Sequence, residues 1–227
     1  MKKFFNDRPA SLTTVVMVLL VTLVLQSWIS YGLTFGPLAS FIPGMNTTAF
    51  RAIWFWLRVI SMGIVFVLWL LNRTNGIVKA IVIANGLLTL GLLMSTLSML
   101  DVLLGFTTDV ITIILADVVL LAISNVLIFS IWYWLMDPPG IAAVSRQEEA
   151  WDFMFPQRAE ELPFYESWVP SYTDYFYLAF SATLAFSPAV TLPLSKRAKW
   201  IMMFQTSISA VTIIVIAGTA ISALSSI

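Results

Sequence analysis

Long apolar runs separated by short polar breaks make up most of the first 136 residues of the chain. A helix needs about 20 mostly apolar residues to cross a bilayer, and four runs in this region reach that length. The predicted spans are Leu12–Phe35, Phe50–Leu71, Ile77–Leu100 and Asp109–Met136. A further run, Ala198–Ile227, predicts a last span at the C-terminus. The pattern therefore predicts an all-α, polytopic membrane helix bundle with five transmembrane helices.

The composition agrees with this class of protein. Of 227 residues, 59% are hydrophobic and 11% are charged, whereas a soluble domain has about half apolar and a quarter charged residues. The chain has no His and no Cys, which removes the commonest general base, thiol nucleophiles and most zinc ligands. Asp117 is the only acid deep in a predicted span, so a catalytic carboxylate pair is also disfavoured. We expect no enzyme activity, no cofactor, no metal site and no nucleic-acid partner.

An acidic, polar segment from Asp137 to Asp174 interrupts the apolar pattern. It has eight acids against two bases, and Pro156, Pro163 and Pro170 forbid a long helix in it. Ser145 and Glu148 fit a capping box, which predicts a short helix near Arg146–Phe153. We expect three regions, which are a four-helix transmembrane region over 1–136, an acidic polar excursion over 137–171 and a C-terminal unit over 172–227.

The C-terminal unit begins with a short apolar run that is broken before the last span. From Tyr172 to Pro188 there are about 17 residues, near the lower limit for a helix that crosses a bilayer. Non-helical backbone at membrane depth needs protein or a water-filled cavity beside it. The pattern predicts a re-entrant half-helix, with a short sixth span or an interfacial helix as the alternatives. The candidate pore residues are Ser181, Thr183, Phe186, Ser187 and Pro188.

Several landmarks from Asn125 onward, "SNVLIFSIWYWLMDPPG", "WDFMFPQ", "AFSP" and "LPLSKRAKWIMMFQ", resemble in order those of an uncharacterised bacterial integral-membrane family. This C-terminal half also resembles the pore-loop module of potassium-channel-like proteins, in which a pore helix, a filter, a proline and an inner helix follow one another. The resemblance implies a channel-like layout, a tetramer and a location in the bacterial inner membrane. Two features depart from these resemblances. The Leu-Ala-Phe-Ser-Pro run directly after Thr183 has no glycine, unlike a potassium-channel filter, and Ala189-Val190 stand where the bacterial family usually has Thr-Asp.

Four polar side chains inside predicted spans are further candidates, namely Arg58, Asp117, Asn125 and Gln205. Ionisable groups at such depth are expensive and usually face partners or water. Arg58 and Asp117 each lie about 12 Å from the start of their spans, and these two spans run in the same direction. An ion pair between them is therefore expected, either as a structural link or as part of a cation or proton path.

The basic residues at the start of the last span, Lys196, Arg197 and Lys199, mark a membrane boundary and predict contact with lipid headgroups. The positive-inside rule places the basic N-terminus in the cytoplasm, and with it the acidic excursion and this basic group. A potassium-type pore loop instead enters from the outer face. The charge pattern and the resemblance thus predict opposite orientations.

Two functions follow from these patterns. The first is ion conduction through a homo-oligomeric pore near residues 183–188. The second is a non-conducting membrane scaffold or accessory subunit that binds a protein partner through the acidic segment 137–171, which carries both acids and exposed aromatic residues in "WDFMFPQ". In either case the other partners are membrane lipids.

Overall fold

The computed structural model describes residues 9–29, 47–71, 74–104, 111–137, 151–159, 168–185 and 190–225. The helices and strands within them are α1 (Pro9–Trp28), α2 (Thr47–Leu70), α3 (Thr74–Leu104), α4 (Ile111–Met136), β1 (Phe153–Met154), α5 (Pro156–Ala159), α6 (Tyr172–Leu184), β2 (Leu192–Pro193) and α7 (Lys196–Ser225). Apart from one two-residue strand pair, all regular structure in these ranges is helical. This confirms the all-α class.

Four of the described helices are long and apolar enough to cross a membrane. Their apolar segments are Ala49–Leu70, Gly76–Leu100, Ala116–Met136 and Lys196–Gly218. The apolar stretch found in α1, Leu12–Trp28, is shorter. The chain is therefore an integral membrane protein, and among the described residues four of the five predicted spans meet this criterion.

Helix α4 lies at the centre of the bundle. It packs against α1, α3, α6 and α7, and 61% of its apolar segment is buried inside the protein, compared with 17% for α2. The outward face of α2 carries exposed apolar side chains such as Ile60, Ile64 and Val67. An apolar face left uncovered on a helix of this length is suited to contact with lipid chains.

Helices α6 and α7 both begin at the end of the bundle where α4 ends. Tyr175, in the first turn of α6, donates a hydrogen bond to Asp137, the residue directly after α4. Arg197, in the first turn of α7, donates one to the carbonyl of the last residue of α4. Farther along, the side chain of Gln205 on α7 bonds α6. The two helices therefore run side by side in the same direction, and the chain returns to its starting end between them.

Helix α6 is short and has a defined start. Its 13 residues give a length of about 20 Å, against about 30 Å for the hydrocarbon core of a bilayer. The Asp174 carboxylate accepts hydrogen bonds from the Ser171 backbone N–H and hydroxyl, which closes a capping box that the sequence analysis missed. The helix ends at Leu184, earlier than expected. The candidates Phe186, Ser187 and Pro188 lie outside the described residues.

Strands β1 and β2 pair in antiparallel fashion, with Phe153 opposite Pro193. The helix predicted near Arg146–Phe153 is wrong at its described end, because residues 151–155 are not helical and Phe153 begins β1. The backbone N–H groups of Asp152 and Phe153 donate to the Asp137 carboxylate instead of to carbonyl groups of a helix. The strand pair ties the polar excursion to the start of α7.

Candidate functional site

Asp137 is the centre of a buried polar cluster at the end of α4, and its side chain is fully buried. Its Oδ1 accepts hydrogen bonds from the backbone N–H groups of Asp152, at 3.0 Å, and Phe153, at 3.3 Å. Its Oδ2 accepts one from the Tyr175 hydroxyl at 2.6 Å and forms an ion pair with Arg158 Nη1, 2.9 Å away. Three hydrogen-bond donors and one cation thus compensate one buried carboxylate. We call these residues the Asp137 cluster.

Arg158 supplies the positive charge of the Asp137 cluster, and its side chain is only 1% exposed. The guanidinium also donates to the Phe153 carbonyl at 2.9 Å. Its central carbon lies 4.9 Å from the ring centre of Trp151 and 5.5 Å from that of Phe155. Aromatic faces stabilise a guanidinium that has left water, so this arginine is enclosed by opposite charge and by rings.

A second ion pair joins the polar excursion to α7. Asp152 is buried, and its carboxylate accepts from Arg197 Nε at 2.8 Å and from Nη2 at 2.5 Å. Ser195 donates its hydroxyl proton to the same carboxylate, while its oxygen accepts the Ala198 N–H at 3.1 Å. Ser195 is therefore the N-cap of the last helix, as its position before the basic residues predicts.

The three basic residues at the start of α7 have different surroundings. The Arg197 side chain is 60% exposed, but its guanidinium is held by Asp152. Lys196 and Lys199 are exposed side chains of the same turn. Among the three predicted headgroup contacts, these two lysines are therefore the exposed residues without a described ion pair. Their binding to lipid headgroups stays a prediction.

The described acids of the polar excursion have structural partners. Asp137 and Asp152 form ion pairs, and Asp174 caps α6. The other five acids of the segment lie outside the described residues. Any attraction of cations by this segment would therefore depend on those five, because the three described carboxylates already accept internal hydrogen bonds.

Two tyrosines fasten the first turn of α6 to α4. The Tyr172 hydroxyl lies 2.6 Å from the Ser130 hydroxyl, and burial raises the pKa of the Tyr172 phenol above its usual range. Tyr175 contacts Asp137 as described. Both rings are buried, whereas Phe176 and Tyr177 are exposed on the outer face. The helix therefore packs against the bundle along one side.

Gln205 on α7 connects three elements in the buried part of the bundle. Its Nε2 donates to the Ala179 carbonyl and to Thr183 Oγ1 of α6, both at 2.8 Å. Its Oε1 accepts the hydroxyl proton of Tyr133 from α4. All three polar side chains are buried. Of the pore candidates, Thr183 thus faces the interior of the protomer, and Ser181 binds the Leu178 carbonyl of its own helix at 3.0 Å.

The two asparagines inside the bundle also join helices. Asn125 Nδ2 on α4 donates to Ser209 Oγ on α7 at 2.8 Å. Asn85 Nδ2 on α3 donates to the Ile128 carbonyl on α4 at 3.1 Å. Hydrogen bonds of this kind between membrane helices contribute about 0.6 kcal/mol on average. They support the reading of Asn125 as a packing residue.

The ion pair expected between Arg58 and Asp117 is not formed. Arg58 Nη1 instead donates to Gln26 Oε1 on α1 at 3.1 Å, and the ion pairs among the described side chains involve Asp137 and Asp152. Asp117 is buried on α4, whereas α2 packs mainly on α1 and α3. Arg58 and Asp117 therefore do not pair, because α2 and α4 are not close neighbours in the bundle.

Gly91 on α3 leaves the space that this Arg58–Gln26 contact occupies. A Cβ at this position would lie 2.9 Å from Gln26 Oε1 and 3.5 Å from Arg58 Nη1. We expect Gly91→Ala to displace Gln26 and to lower the free energy of unfolding by about 1–3 kcal/mol, measured by denaturation in mixed micelles. Gly86→Ala on the same helix is the matched control, because a Cβ there meets no atom within 4 Å. Equal stability of the two variants would contradict this role.

An apolar cavity of about 270 Å³ lies between α4 and the outer side of α6. Four apolar side chains of α4 and three of α6 form its walls, together with Thr183, whose hydroxyl is bound by Gln205. The apolar ones are Ala122, Ile123, Val126, Leu127, Phe176, Phe180 and Leu184. The lining presents no polar surface, so this cavity suits a hydrocarbon chain or another apolar side chain. It offers no groups for chemistry.

The described residues contain no group of three or more acidic ligands placed to hold a metal ion, and the absence of a metal site stays a prediction. No protein-family model, curated protein or solved structure matches the chain.

The apolar and polar pattern of the sequence does not single out the residues of the Asp137 cluster. In the sequence Asp137 is only the first residue of a polar excursion, and Arg158 is one base in an acidic segment. One signal could have identified them. An acid at the end of a span and an arginine among aromatic residues are both costly to bury unless they are paired.

Proposed function

We propose that the protein is a channel-like membrane protein with five spans and a re-entrant half-helix, α6, which forms an ion pathway when several copies assemble. The observation that carries this proposal is the direction of the last two helices. Helices α6 and α7 begin at the same end and run parallel, and α6 is too short to cross a bilayer. A segment that enters, stops and returns is how pore loops are built.

The arrangement of α4, α6 and α7 supports the same proposal. A half-helix packed between two long helices resembles the outer helix, pore helix and inner helix of a two-helix channel module. The C-terminal end of α6 carries a partial negative charge from the helix dipole, which favours a cation near Leu184. Leu184 and Val190, on either side of the break, are exposed. Because Ser181 and Thr183 are bonded inside the protomer, the proposed pathway runs beside the exposed residues Leu184 and Val190 and is completed by neighbouring copies.

The half-helix layout is tested by the sidedness of introduced cysteines, since the chain has none of its own. Ser171→Cys before α6 and Leu194→Cys after it are both at exposed positions. In sealed vesicles, an impermeant thiol reagent is expected to label both from the same side. Labelling from opposite sides would mean that residues 172–190 cross the bilayer, and the proposed layout would fail.

Conduction is tested with purified protein in planar bilayers. We expect cation current that an impermeant, charged thiol reagent reduces by more than half in Val190→Cys. Val67→Cys is the matched control, because it is the same substitution at an exposed position on α2. The parent protein and Val67→Cys should keep their current. The proposal would be overturned if no current flowed in potassium chloride or sodium chloride. Equal inhibition of Val190→Cys and Val67→Cys would also overturn it.

A partner-binding scaffold is the alternative that an absence of current would favour. The structure restricts it, because Phe153 and Phe155 of the "WDFMFPQ" segment are buried against Tyr133 and Tyr175. These two aromatic residues are therefore not available on the surface to bind a partner.

A further inference from the structure

Arg58 is a buried cation with a neutral partner. It lies within the apolar segment of α2 and is 7% exposed. Its Nη1 binds the amide oxygen of Gln26, and its Nε has no hydrogen-bond acceptor among the described residues. An arginine near the middle of a membrane helix is costly, and such residues normally pair or face a cavity. The observed contacts supply it with no negative charge.

Trp54, one turn earlier on α2, has a second unused donor. Its indole Nε1–H is buried and, within the described part of the chain, finds no acceptor. The Arg58 guanidinium carbon lies 6.0 Å from the centre of the Trp54 ring. Residues four apart lie on the same face of a helix. Two buried N–H donors, Arg58 Nε and Trp54 Nε1, thus lie one helical turn apart without an acceptor among the described residues.

The surrounding residues hold the guanidinium in place. Gln26 donates its Nε2 to the Leu88 carbonyl of α3 at 2.9 Å, which turns its oxygen toward Arg58. Gly91 leaves room for this amide, as described above. The contact orients the cation with a dipole and adds no negative charge. A desolvated guanidinium held without a counter-charge attracts an anion that can accept its hydrogen bonds.

We propose that Arg58 and Trp54 form a binding site for a small monovalent anion, either a halide or the carboxylate of a small organic acid. Arg58 lies 9 residues from Ala49 and 12 from Leu70, the ends of its apolar segment, which places it about 14 Å and 18 Å from them. Phospholipid headgroups lie at the interface, so a free anion is the expected source of the charge. The proposal goes beyond the proposed conduction and does not depend on it.

The site is tested by thermal unfolding of the whole protein in nanodiscs of zwitterionic lipid, with sodium salts of equal ionic strength. Chloride, bromide and acetate are expected to raise the unfolding midpoint in a saturable way, by about 5 °C at a hundredfold excess over Kd. Gluconate, which is too large for such a site, should not. A second set of nanodiscs with anionic phosphatidylglycerol distinguishes the sources, since a headgroup would raise the midpoint without added salt.

Three variants make the test specific. Arg58→Gln should abolish the response to anions, and Trp54→Phe, which keeps the ring and removes the N–H, should raise the apparent Kd about tenfold. Lys79→Gln removes an exposed cation from α3 and should leave the response unchanged. If Arg58→Gln does not fold, the Trp54→Phe titration decides. A response that all variants share, or one equal for chloride and gluconate, would overturn the proposal.

Discussion

Replacing Asp137 with alanine is expected to lower the free energy of unfolding by about 3–5 kcal/mol. The Arg158 side chain is 1% exposed and is paired with Asp137, so the substitution leaves a buried cation without its counter-charge. It also removes the acceptor for the Tyr175 hydroxyl and for two backbone N–H groups. We expect the loss in denaturation by sodium dodecyl sulfate in mixed micelles.

Two comparisons separate this effect from a general loss of acidic charge. Asp174→Ala removes an acid that caps α6 near the surface and should cost about 1 kcal/mol. The double variant Asp137→Ala, Arg158→Met should be more stable than Asp137→Ala alone, because it removes the unpaired cation. If Asp137→Ala costs no more than Asp174→Ala, the buried pair does not stabilise this end of the bundle.

Replacing Gln205 with leucine is expected to loosen α6 and to lower the free energy of unfolding by about 2–4 kcal/mol. The leucine has a similar volume but leaves the Tyr133 hydroxyl, the Thr183 hydroxyl and the Ala179 carbonyl without the partner they have now. Each buried polar group that loses its only partner costs about 1–3 kcal/mol. The cost is smaller where the freed polar group finds another hydrogen-bond partner inside the membrane.

The position of α6 can be measured separately from stability by thiol labelling. A cysteine at Ala182, which is fully buried in α6, should react slowly in the parent background and at least tenfold faster with Gln205→Leu. Ser207→Ala is the control, because Ser207 lies on the exposed side of α7 and bonds only its own helix at Met203. Equal labelling rates in the parent and Gln205→Leu backgrounds would show that α6 is held in place without Gln205.

The Asp137 cluster and Gln205 together explain how a half-helix stays in place. Asp137 and Ser130 hold the first turn of α6, and Gln205 holds its last turns. Strand β2 and the Asp152–Arg197 pair then fix the start of α7 at the same end. A segment of 13 residues would be marginal as an isolated helix. Its contacts to α4 and α7 therefore determine its position.

Much of the helical layout could be predicted from apolar runs alone. The predicted spans near Phe50–Leu71, Ile77–Leu100 and Asp109–Met136 overlap α2, α3 and α4 closely. Ser195 as the cap of α7 was also predictable, because capping depends on residues three apart in sequence. Helix ends were less accurate, as at Leu184, since frayed ends depend on tertiary contacts.

The sequence by itself determined that this chain is an apolar helix bundle and that one segment before the last span is too short and too broken to resemble the others. Both properties depend on residue type and on local spacing. Only the tertiary structure decided the partners of the buried charges. It paired Asp137 with Arg158 and Asp152 with Arg197, and it left Arg58 beside Gln26 instead of Asp117. Electrostatic partners are set by which helices are neighbours in space, and depth along a helix does not contain that information.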